Sequence, residues 1–296
     1  MRALTLAATI GAALFLPTLA HADDRFLLET NANAGANSEV YLLNYATNAD
    51  LLTNTQSPTS QFLPLNVSED FSIGDFAYDG SYHVLLESNV DVGANNEVYL
   101  LNYASYADLL GNVQSPTSQF LPLNVSTEFS IGGFTYDGSY HLLLESNDNA
   151  GANNEVYLLN YASYGDLLAN VQSPTSQFLP LNISTEFSLG GFAYNAGIYQ
   201  VILETNDDVG ANNEVYLLNY ASYADLLGNV QSNTSQFLPL NISAEFSSRG
   251  YEVDTPLPGG GGAIPEPATW MTMILGFGLA GAALRRSRLA AGARAA

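Results

Sequence analysis

Four loops along the chain carry oxygen-bearing side chains at alternate positions around a glycine, and each loop ends in a glutamate. The second copy has Asn89, Asp91, Asn95 and Glu97 around Gly93. The third and fourth copies have the same positions filled by Asn147, Asn149, Asn153, Glu155, Asn206, Asp208, Asn212 and Glu214. Calcium takes about six to eight such oxygens, and weak extracellular sites fill at millimolar concentrations. These residues are therefore candidate Ca²⁺ ligands, and the sequence suggests no other cofactor.

A turn without any metal is the competing interpretation of these loops. The pattern differs from an EF-hand, because its fifth position is glycine and each loop has only one or two charged ligands. Asn and Asp also favour turns through local hydrogen bonds to the backbone. The near-identity of the copies does not discriminate, since duplication alone would produce it.

Residues suited to catalysis are few. His83 and His141 occupy a repeat position that holds Arg25 and Gln200 in the other copies, and this variability predicts a solvent-facing site. The chain has no cysteine, and neither a zinc-type histidine cluster nor a nucleophile or phosphate-loop motif is present. An acid pair in the first copy, at 69–70, resembles the two carboxylates of glycoside hydrolysis, but a solvated turn also explains it. We therefore expect no enzymatic activity.

The charge of the chain limits its partners. The 296 residues carry a formal net charge of −22, and Arg25 and Arg249 are the basic residues between positions 23 and 264. Such an acidic surface disfavours nucleic acid and anionic membranes. Cations, or cationic groups on polymers, are the favoured partners. Abundant aliphatic and aromatic residues exclude a disordered acidic tail.

The body of the chain is a tandem repeat. A segment of the type N-E-V-Y-L-L-N-Y recurs with its first tyrosine at Tyr41, Tyr99, Tyr157 and Tyr216, which gives spacings of 58, 58 and 59 residues. A period of this length indicates units that bury their apolar faces against one another.

One unit predicts four extended segments, at 133–136, 140–146, 155–162 and 177–183, and one helical turn at 164–168. The third segment alternates in the period-two pattern of a strand. Pro180 places the fourth segment at the edge of a sheet. Four antiparallel strands per unit are the content of a propeller blade.

Three motifs resemble the TolB-type propeller repeat: Phe134–Gly138, Leu143–Asn147 and Glu155–Asn160. The resemblance covers roughly half of each unit and implies a WD-like β-propeller. Tyr136 stands where the family usually has proline, and four units are fewer than its usual number of blades. The resemblance implies the fold and no inherited function.

The ends of the body suggest how a ring would close. The first unit starts at its second strand, at 25–30, and residues 247–253 lie where its missing first strand would be. We therefore predict an all-β fold in which four units of about 58 residues form a small four-bladed β-propeller closed by this C-terminal strand. An open array, or a ring completed by a second chain, is the alternative.

Segments at both ends indicate export. Residues 1–22 have the pattern of a secretory signal peptide, which implies the Sec export machinery. The body spans 23–254, and a Pro/Gly-rich linker spans 255–263. The tail at 264–288 ends in a basic stop and is followed by a short cytoplasmic segment, 289–296. Its apolar stretch 271–284 predicts a C-terminal transmembrane helix.

The tail resembles the PEP-CTERM sorting domain of Gram-negative bacteria. The resemblance rests on the residues Pro265, Glu266, Pro267, Trp270, Arg285 and Arg286 and on the apolar stretch between them. It implies a precursor anchored in the inner membrane and processed by an exosortase, which releases the body to the cell surface or extracellular matrix. An ordinary membrane anchor is the alternative.

These observations favour a non-enzymatic structural or adhesive component of the cell surface or extracellular polysaccharide matrix, with divalent cations as possible bridges. A carbohydrate- or protein-binding module is the first alternative, and a polysaccharide hydrolase is the second.

Overall fold

The computed structural model describes residues 23–30, 37–88, 95–146, 153–205 and 212–254, and these form sixteen β-strands and four short helices. The described residues all lie within one compact unit. The predicted signal peptide, linker and sorting tail lie outside the described residues.

The strands form four sheets of four antiparallel strands, one sheet for each blade. Blade 1 contains β1 (Asp24–Thr30), β2 (Ser38–Tyr45), α1 (Asn48–Leu52), β3 (Gln61–Val67) and, from the end of the chain, β16 (Phe246–Val253). Blade 2 contains β4 (Phe71–Tyr78), β5 (Tyr82–Ser88), β6 (Asn95–Tyr103), α2 (Tyr106–Leu110) and β7 (Gln119–Ser126). Blade 3 contains β8 (Phe129–Tyr136), β9 (Tyr140–Ser146), β10 (Asn153–Tyr161), α3 (Tyr164–Leu168) and β11 (Gln177–Ser184). Blade 4 contains β12 (Phe187–Asn195), β13 (Ile198–Thr205), β14 (Asn212–Tyr220), α4 (Tyr223–Leu227) and β15 (Gln236–Ser243).

The first and last strands of the chain close the ring. β16 pairs antiparallel with β1 from Asp24↔Val253 to Thr30↔Phe246, so blade 1 has the strand order β16-β1-β2-β3. The innermost strands β4, β8, β12 and β16 contact one another around the axis. The predicted four-bladed propeller with C-terminal closure is therefore confirmed.

The innermost strand of the third unit is longer than the sequence predicts. The pattern places the strand of the third unit at 133–136, whereas β8 begins at Phe129. Gly132 is a β-bulge, since the register moves from Ile131↔Leu144 to Gly133↔Leu143 across it. A bulge accepts an extra residue without ending the strand, so the glycines interrupt the pairing only locally.

The other predicted elements of the third unit form close to their predicted bounds. The helical turn is α3, and its N-cap Ser163 accepts a hydrogen bond from the backbone N–H of Asp166 at 3.2 Å. Pro180 lies in β11, which is an edge strand. Proline is tolerated there because an edge strand leaves some N–H groups outside the ladder.

The core consists of four hydrophobic clusters, each between adjacent blades. Successive residues of a strand point to opposite faces of the sheet, so Val84 packs toward blade 1 and Leu85 toward blade 3. Both residues are fully buried. A blade is therefore apolar on both faces and needs a neighbour on each side, which is why the units fold as a ring.

An asparagine joins each pair of neighbouring blades at the outer side. Asn112 has a φ of 49°, in the left-handed region that asparagine tolerates better than most residues. Its amide donates to the Pro64 carbonyl of blade 1 at 3.0 Å, and its Oδ1 accepts from the Tyr103 hydroxyl at 2.9 Å. The equivalent asparagines bond across the other three interfaces, and these residues are Asn54, Asn170 and Asn229.

Candidate functional site

The predicted calcium loops are described only in part. The candidate ligands Asn89, Asp91, Asn147, Asn149, Asn206 and Asp208 lie outside the described residues. The other six are exposed at the starts of β6, β10 and β14, and they are Asn95, Glu97, Asn153, Glu155, Asn212 and Glu214. Within the described ranges, no group of three or more His, Cys, Asp or Glu is placed to hold a metal ion. The calcium interpretation stays a prediction.

Four buried glutamates join neighbouring blades at one end of the axis. The Glu87 carboxylate of blade 2 accepts the backbone N–H of Ile131 of blade 3 at 2.8 Å, and the Asn96 amide donates to its other oxygen at 2.9 Å. Equivalent bonds to the next blade are made by Glu29, Glu145 and Glu204. Burial raises the pKa of all four carboxyls, and the charge of Arg249 draws each pKa back down.

One carboxylate occupies the centre of the ring. Asp75 is fully buried, and its two oxygens accept one backbone N–H from each blade. The donors are Phe76 at 2.7 Å, Phe134 at 2.6 Å, Phe192 at 2.8 Å and Tyr251 at 3.0 Å. Burial raises the pKa of Asp75 well above its usual range, and the four amide hydrogen bonds offset this only in part. Every partner is a donor, so the hydrogen bonds favour the ionised carboxylate while burial favours the neutral acid.

The other three blades have glycine at the position of Asp75, namely Gly133, Gly191 and Gly250. A Cβ on Gly133 would lie 2.6 Å from the Phe192 Cβ, and one on Gly250 would lie 2.8 Å from the Asp75 Oδ1. The axis therefore has room for one side chain at this level. The preceding bulge position shows the same asymmetry, with glycine in three blades and Arg249 in the fourth.

The two histidines lie in the core, and the prediction that they face solvent is wrong. His83 is only 4% exposed, because its Nδ1 lies 2.5 Å from the Asn102 Oδ1 and its Nε2 lies 3.0 Å from the Asp79 Oδ1. The Tyr140 hydroxyl of the next blade donates to the same aspartate. Burial raises the pKa of Asp79, but these contacts outweigh it and the pKa is lowered. The sequence Asp-Gly-Ser-Tyr-His could have indicated this burial, because it places the carboxylate of a turn beside the histidine ring.

The same arrangement, an inter-blade clamp of carboxylate, base and tyrosine, occurs at two more interfaces. Asp137, His141 and Tyr199 form one, and Asp254, Arg25 and Tyr82 form another. Arg25 lies over the Tyr106 ring at 4.4 Å from its centroid and is buried. At the fourth interface the Tyr251 hydroxyl instead lies 3.1 Å from both Asp24 Oδ1 and Gln200 Oε1.

Four of the eight large hydrophobic side chains that are exposed among the described residues are phenylalanines at the interfaces between blades. Between blades 1 and 2, Tyr99 and Phe120 lie 4.8 Å apart, edge to face, and Phe120 is 56% exposed. The same edge-to-face pairs occur at the other three interfaces, formed by Tyr41 with Phe62, Tyr157 with Phe178 and Tyr216 with Phe237. Three of the grooves at these interfaces have volumes of about 310, 370 and 420 Å³ and are open to solvent.

Polar groups border each groove. In the groove between blades 1 and 2 they are Ser68 of blade 1 and Asn112 and Gln114 of blade 2. The Gln114 side chain is exposed, and its Nε2 donates to the Asn112 Oδ1 at 3.3 Å. The described residues that line the three measured grooves include no charged side chain. Each groove is therefore an uncharged site with an aromatic floor and amide and hydroxyl groups at its edge.

The comparisons with known proteins concern the tail and the ring separately. Residues 263–288 match the PEP-CTERM protein-sorting motif. This motif indicates an exported protein with a membrane-anchored precursor in Gram-negative bacteria, sorted by an exosortase. The predicted sorting residues Pro265 to Arg286 lie within the match, although outside the described residues. Within the described part of the chain, no helix is long and apolar enough to cross a membrane.

The body has a distant structural likeness. A solved structure titled "Crystal structure of a thermostable family-43 glycoside hydrolase" is similar over 80% of this chain and 94% of that one, at 10% identity and a TM-score of 0.40. A likeness this distant assigns no activity. No curated protein matches the chain. The resemblance to the TolB-type repeat stays a prediction.

Sequence reasoning missed the grooves. Phe120 lies in the segment Gln119-Phe120-Leu121, in which Leu121 is buried and Phe120 faces outward. A bulky aromatic at the outward position of an edge strand is the available signal, since that position is usually polar. The groove itself was not visible in the sequence, because its two walls belong to different blades.

Proposed function

We propose that the chain is an exported, exosortase-processed β-propeller without enzymatic activity, which acts as a structural and adhesive component of the cell surface or extracellular polysaccharide matrix. The observation that carries the proposal is the fourfold repetition of an exposed phenylalanine that packs against a partly buried tyrosine at each interface between blades. Several equivalent sites on one rigid ring favour adhesion, because binding at one site raises the effective concentration of ligand at the others.

The buried carboxylates support the non-enzymatic part of the proposal. The Glu87, Glu145 and Glu204 oxygens are bonded to backbone amides and asparagine amides between blades. The Asp75 oxygens bond to four amides at the axis. These bonds give the carboxylates a structural task. Turnover of matrix polysaccharide that is lost on substituting one specific carboxylate would contradict the proposal.

Divalent cations fit the proposal as bridges between acidic molecules. The formal net charge of −22 makes screening by cations necessary, and the exposed Glu97, Glu155 and Glu214 are available to it. If Ca²⁺ binds the loops, thermal unfolding of the released protein shifts upward in millimolar Ca²⁺ relative to chelator at matched ionic strength. An unchanged midpoint removes calcium from the proposal and leaves the grooves unaffected.

The test of the function follows the protein through the cell. We expect the wild-type body in the extracellular or matrix fraction and a variant with Pro265, Glu266 and Pro267 replaced by alanine in the inner membrane at full length. The released wild-type protein should also bind insoluble matrix from a strain that lacks it. Wild-type protein retained at full length in the inner membrane, or released protein without affinity for matrix, would refute the proposal.

A further inference from the structure

We infer that each inter-blade groove, here called a rim groove, binds one uncharged sugar residue of a polysaccharide. This inference rests on the proposed adhesive function and names the ligand class of the same site. The rim groove between blades 1 and 2 is lined by Tyr99, Phe120, Gln114, Asn112 and Ser68. The equivalent aromatic and asparagine residues recur at the other three interfaces.

The aromatic pair offers a stacking surface that is already ordered. Tyr99 packs against the core cluster of blades 1 and 2, and its ring meets the Phe120 ring at 4.8 Å and 80°. Pairs with this geometry hold the rings in place, so little side-chain freedom is lost when a ligand binds. More than half of Phe120 remains exposed. The apolar C–H face of a sugar ring is the complement of such a surface.

The edge of the groove supplies the hydrogen bonds that sugar hydroxyls need. Gln114 carries an acceptor oxygen and two N–H donors, and one donor is held at 3.3 Å by the Asn112 Oδ1. Asn112 is itself fixed by the Tyr103 hydroxyl and the Pro64 carbonyl. Asn112 therefore holds the Gln114 amide beside the aromatic pair. Because the Gln114 side chain is exposed, its carbonyl oxygen can accept a hydrogen bond from a ligand. A purely apolar ligand would make no hydrogen bonds to these polar groups.

Size and charge restrict the ligand further. Volumes of about 310 to 420 Å³ are at the lower end of the roughly 300–1,000 Å³ typical of small-molecule sites. The described lining residues are uncharged, and the whole chain carries −22. An acidic sugar would meet repulsion without a cation to offset it. The groove therefore fits a neutral residue of a polymer better than a uronic acid.

The repetition of the groove determines which sugars bind with measurable affinity in solution. A free monosaccharide occupies one rim groove and binds weakly. A polymer engages more than one groove, and the apparent affinity increases by about 10²–10⁴-fold when the spacing permits it. We therefore expect measurable retention by polymers and little by monosaccharides.

The experiment uses the processed protein released by cells, in affinity electrophoresis through gels that contain dextran, galactomannan or alginate. The test variant replaces the four exposed phenylalanines by serine, which gives Phe62→Ser, Phe120→Ser, Phe178→Ser and Phe237→Ser. The control carries Val113→Thr, Val171→Thr and Val230→Thr, which removes valines that are similarly exposed at 56–60% and lie outside the measured linings. Threonine is the residue of the first copy at this position, Thr55, so the control should fold.

We expect at least one neutral polymer to retard the wild-type protein and the control by at least tenfold more than it retards the phenylalanine variant. The retardation should survive chelation, and near-native circular dichroism should show that the variant is folded. Retardation by alginate alone, or by no polymer, overturns the sugar inference. If the phenylalanine variant also loses matrix binding while neutral polysaccharides fail to compete, the adhesive function stands, the sugar inference is overturned and the ligand is a protein. If matrix binding is absent from the wild type, the proposed function itself fails.

Discussion

The axis and the rim of this propeller are built from the same repeats, but the copies differ in sequence at the axis and are identical at the rim. At the axis, the position of Asp75 holds an acid in one blade and glycine in three. At the rim, the position of Phe120 holds phenylalanine in all four blades, each 56% exposed. The difference arises from the space that is available to each side chain. Four copies of an axial side chain converge on one point, whereas each rim side chain occupies a groove of its own.

This comparison shows at which positions the copies of a duplicated unit must differ in sequence. Four aspartates at the axis would bring four buried charges together, and a Cβ at Gly250 would already lie 2.8 Å from the Asp75 Oδ1. No such conflict exists at the rim, so identical copies are compatible and provide multivalency. The clamps of carboxylate, base and tyrosine are an intermediate case, because they occur at three of the four interfaces.

The largest effect should come from the centre of the axis. Asp75→Asn replaces two acceptor oxygens by one oxygen and an NH₂ group, which must face backbone N–H donors. We expect a loss of about 2–6 kcal/mol in the free energy of unfolding, because the two backbone N–H donors that face the new NH₂ group lose their acceptor and each unsatisfied buried donor costs about 1–3 kcal/mol. Urea unfolding followed by fluorescence measures it. The matched control is Asp70→Asn on an exposed turn, with a change within about 0.5 kcal/mol. Equal losses in the two variants would remove the special role of the axis.

The next effect is a pH dependence that is opposite to ordinary acid denaturation. Burial raises the pKa of Asp24 to about 7 and raises those of Glu29, Glu87, Glu145 and Glu204. An acid whose folded pKa is raised binds protons more readily in the folded state, so stability increases as the pH falls from about 8 toward about 4. Below that range stability falls, because Asp79 and Asp137 have lowered pKa values and become protonated.

Thermal unfolding between pH 4 and 8 measures this dependence. We expect Asp24→Asn to flatten the profile and to raise the midpoint at pH 8, since asparagine removes the cost of burying a charge while its oxygen still accepts from the Tyr251 hydroxyl. A wild-type midpoint that is highest at pH 8 would show that the buried carboxyls are not protonated in the folded state at lower pH.

A smaller effect is expected at the clamps. Tyr140→Phe removes the hydroxyl that donates to Asp79 and leaves the rest of the ring in place. Hydrogen bonds to charged groups contribute about 1.5–3 kcal/mol, and this sets the expected loss. Tyr136→Phe is the control, because it removes a hydroxyl from a ring that packs at a tilt against Tyr140, with 4.6 Å between the ring centroids. Because the pKa of Asp79 is lowered in the folded state, the loss should persist at pH 4 and shrink only at more acidic pH, where folded Asp79 also becomes protonated. A loss that stays constant over this acidic range would point to packing instead.

The smallest effect on stability is expected at the rim. A single Phe120→Ser should change the free energy of unfolding by less than about 1 kcal/mol, because the side chain is already mostly exposed. Retardation by a neutral polymer should decrease stepwise from one to four substituted rim grooves. Full loss after one substitution would mean that a single groove binds, and the comparison between repeated rim and unique axis would then lose its functional meaning.

The sequence by itself determined the parts of the molecule that depend on local or repeated patterns. The period of Tyr41, Tyr99, Tyr157 and Tyr216, the turn chemistry and the proline at 180 predicted four blades and an edge strand. The incomplete first unit predicted the pairing of β16 with β1, and the tail predicted the sorting motif. These features follow from neighbours in the chain or from comparison of the copies.

Only the tertiary structure decided what lies where different blades meet. His83 is buried because the Tyr140 and Tyr164 rings of the next blade lie against it, with centroids 6.2 and 5.2 Å from its own. Asp75 binds amides up to 176 residues away, and the walls of each rim groove come from two blades. No local pattern contains these contacts, because they exist only after closure of the ring places residues from every repeat around one axis.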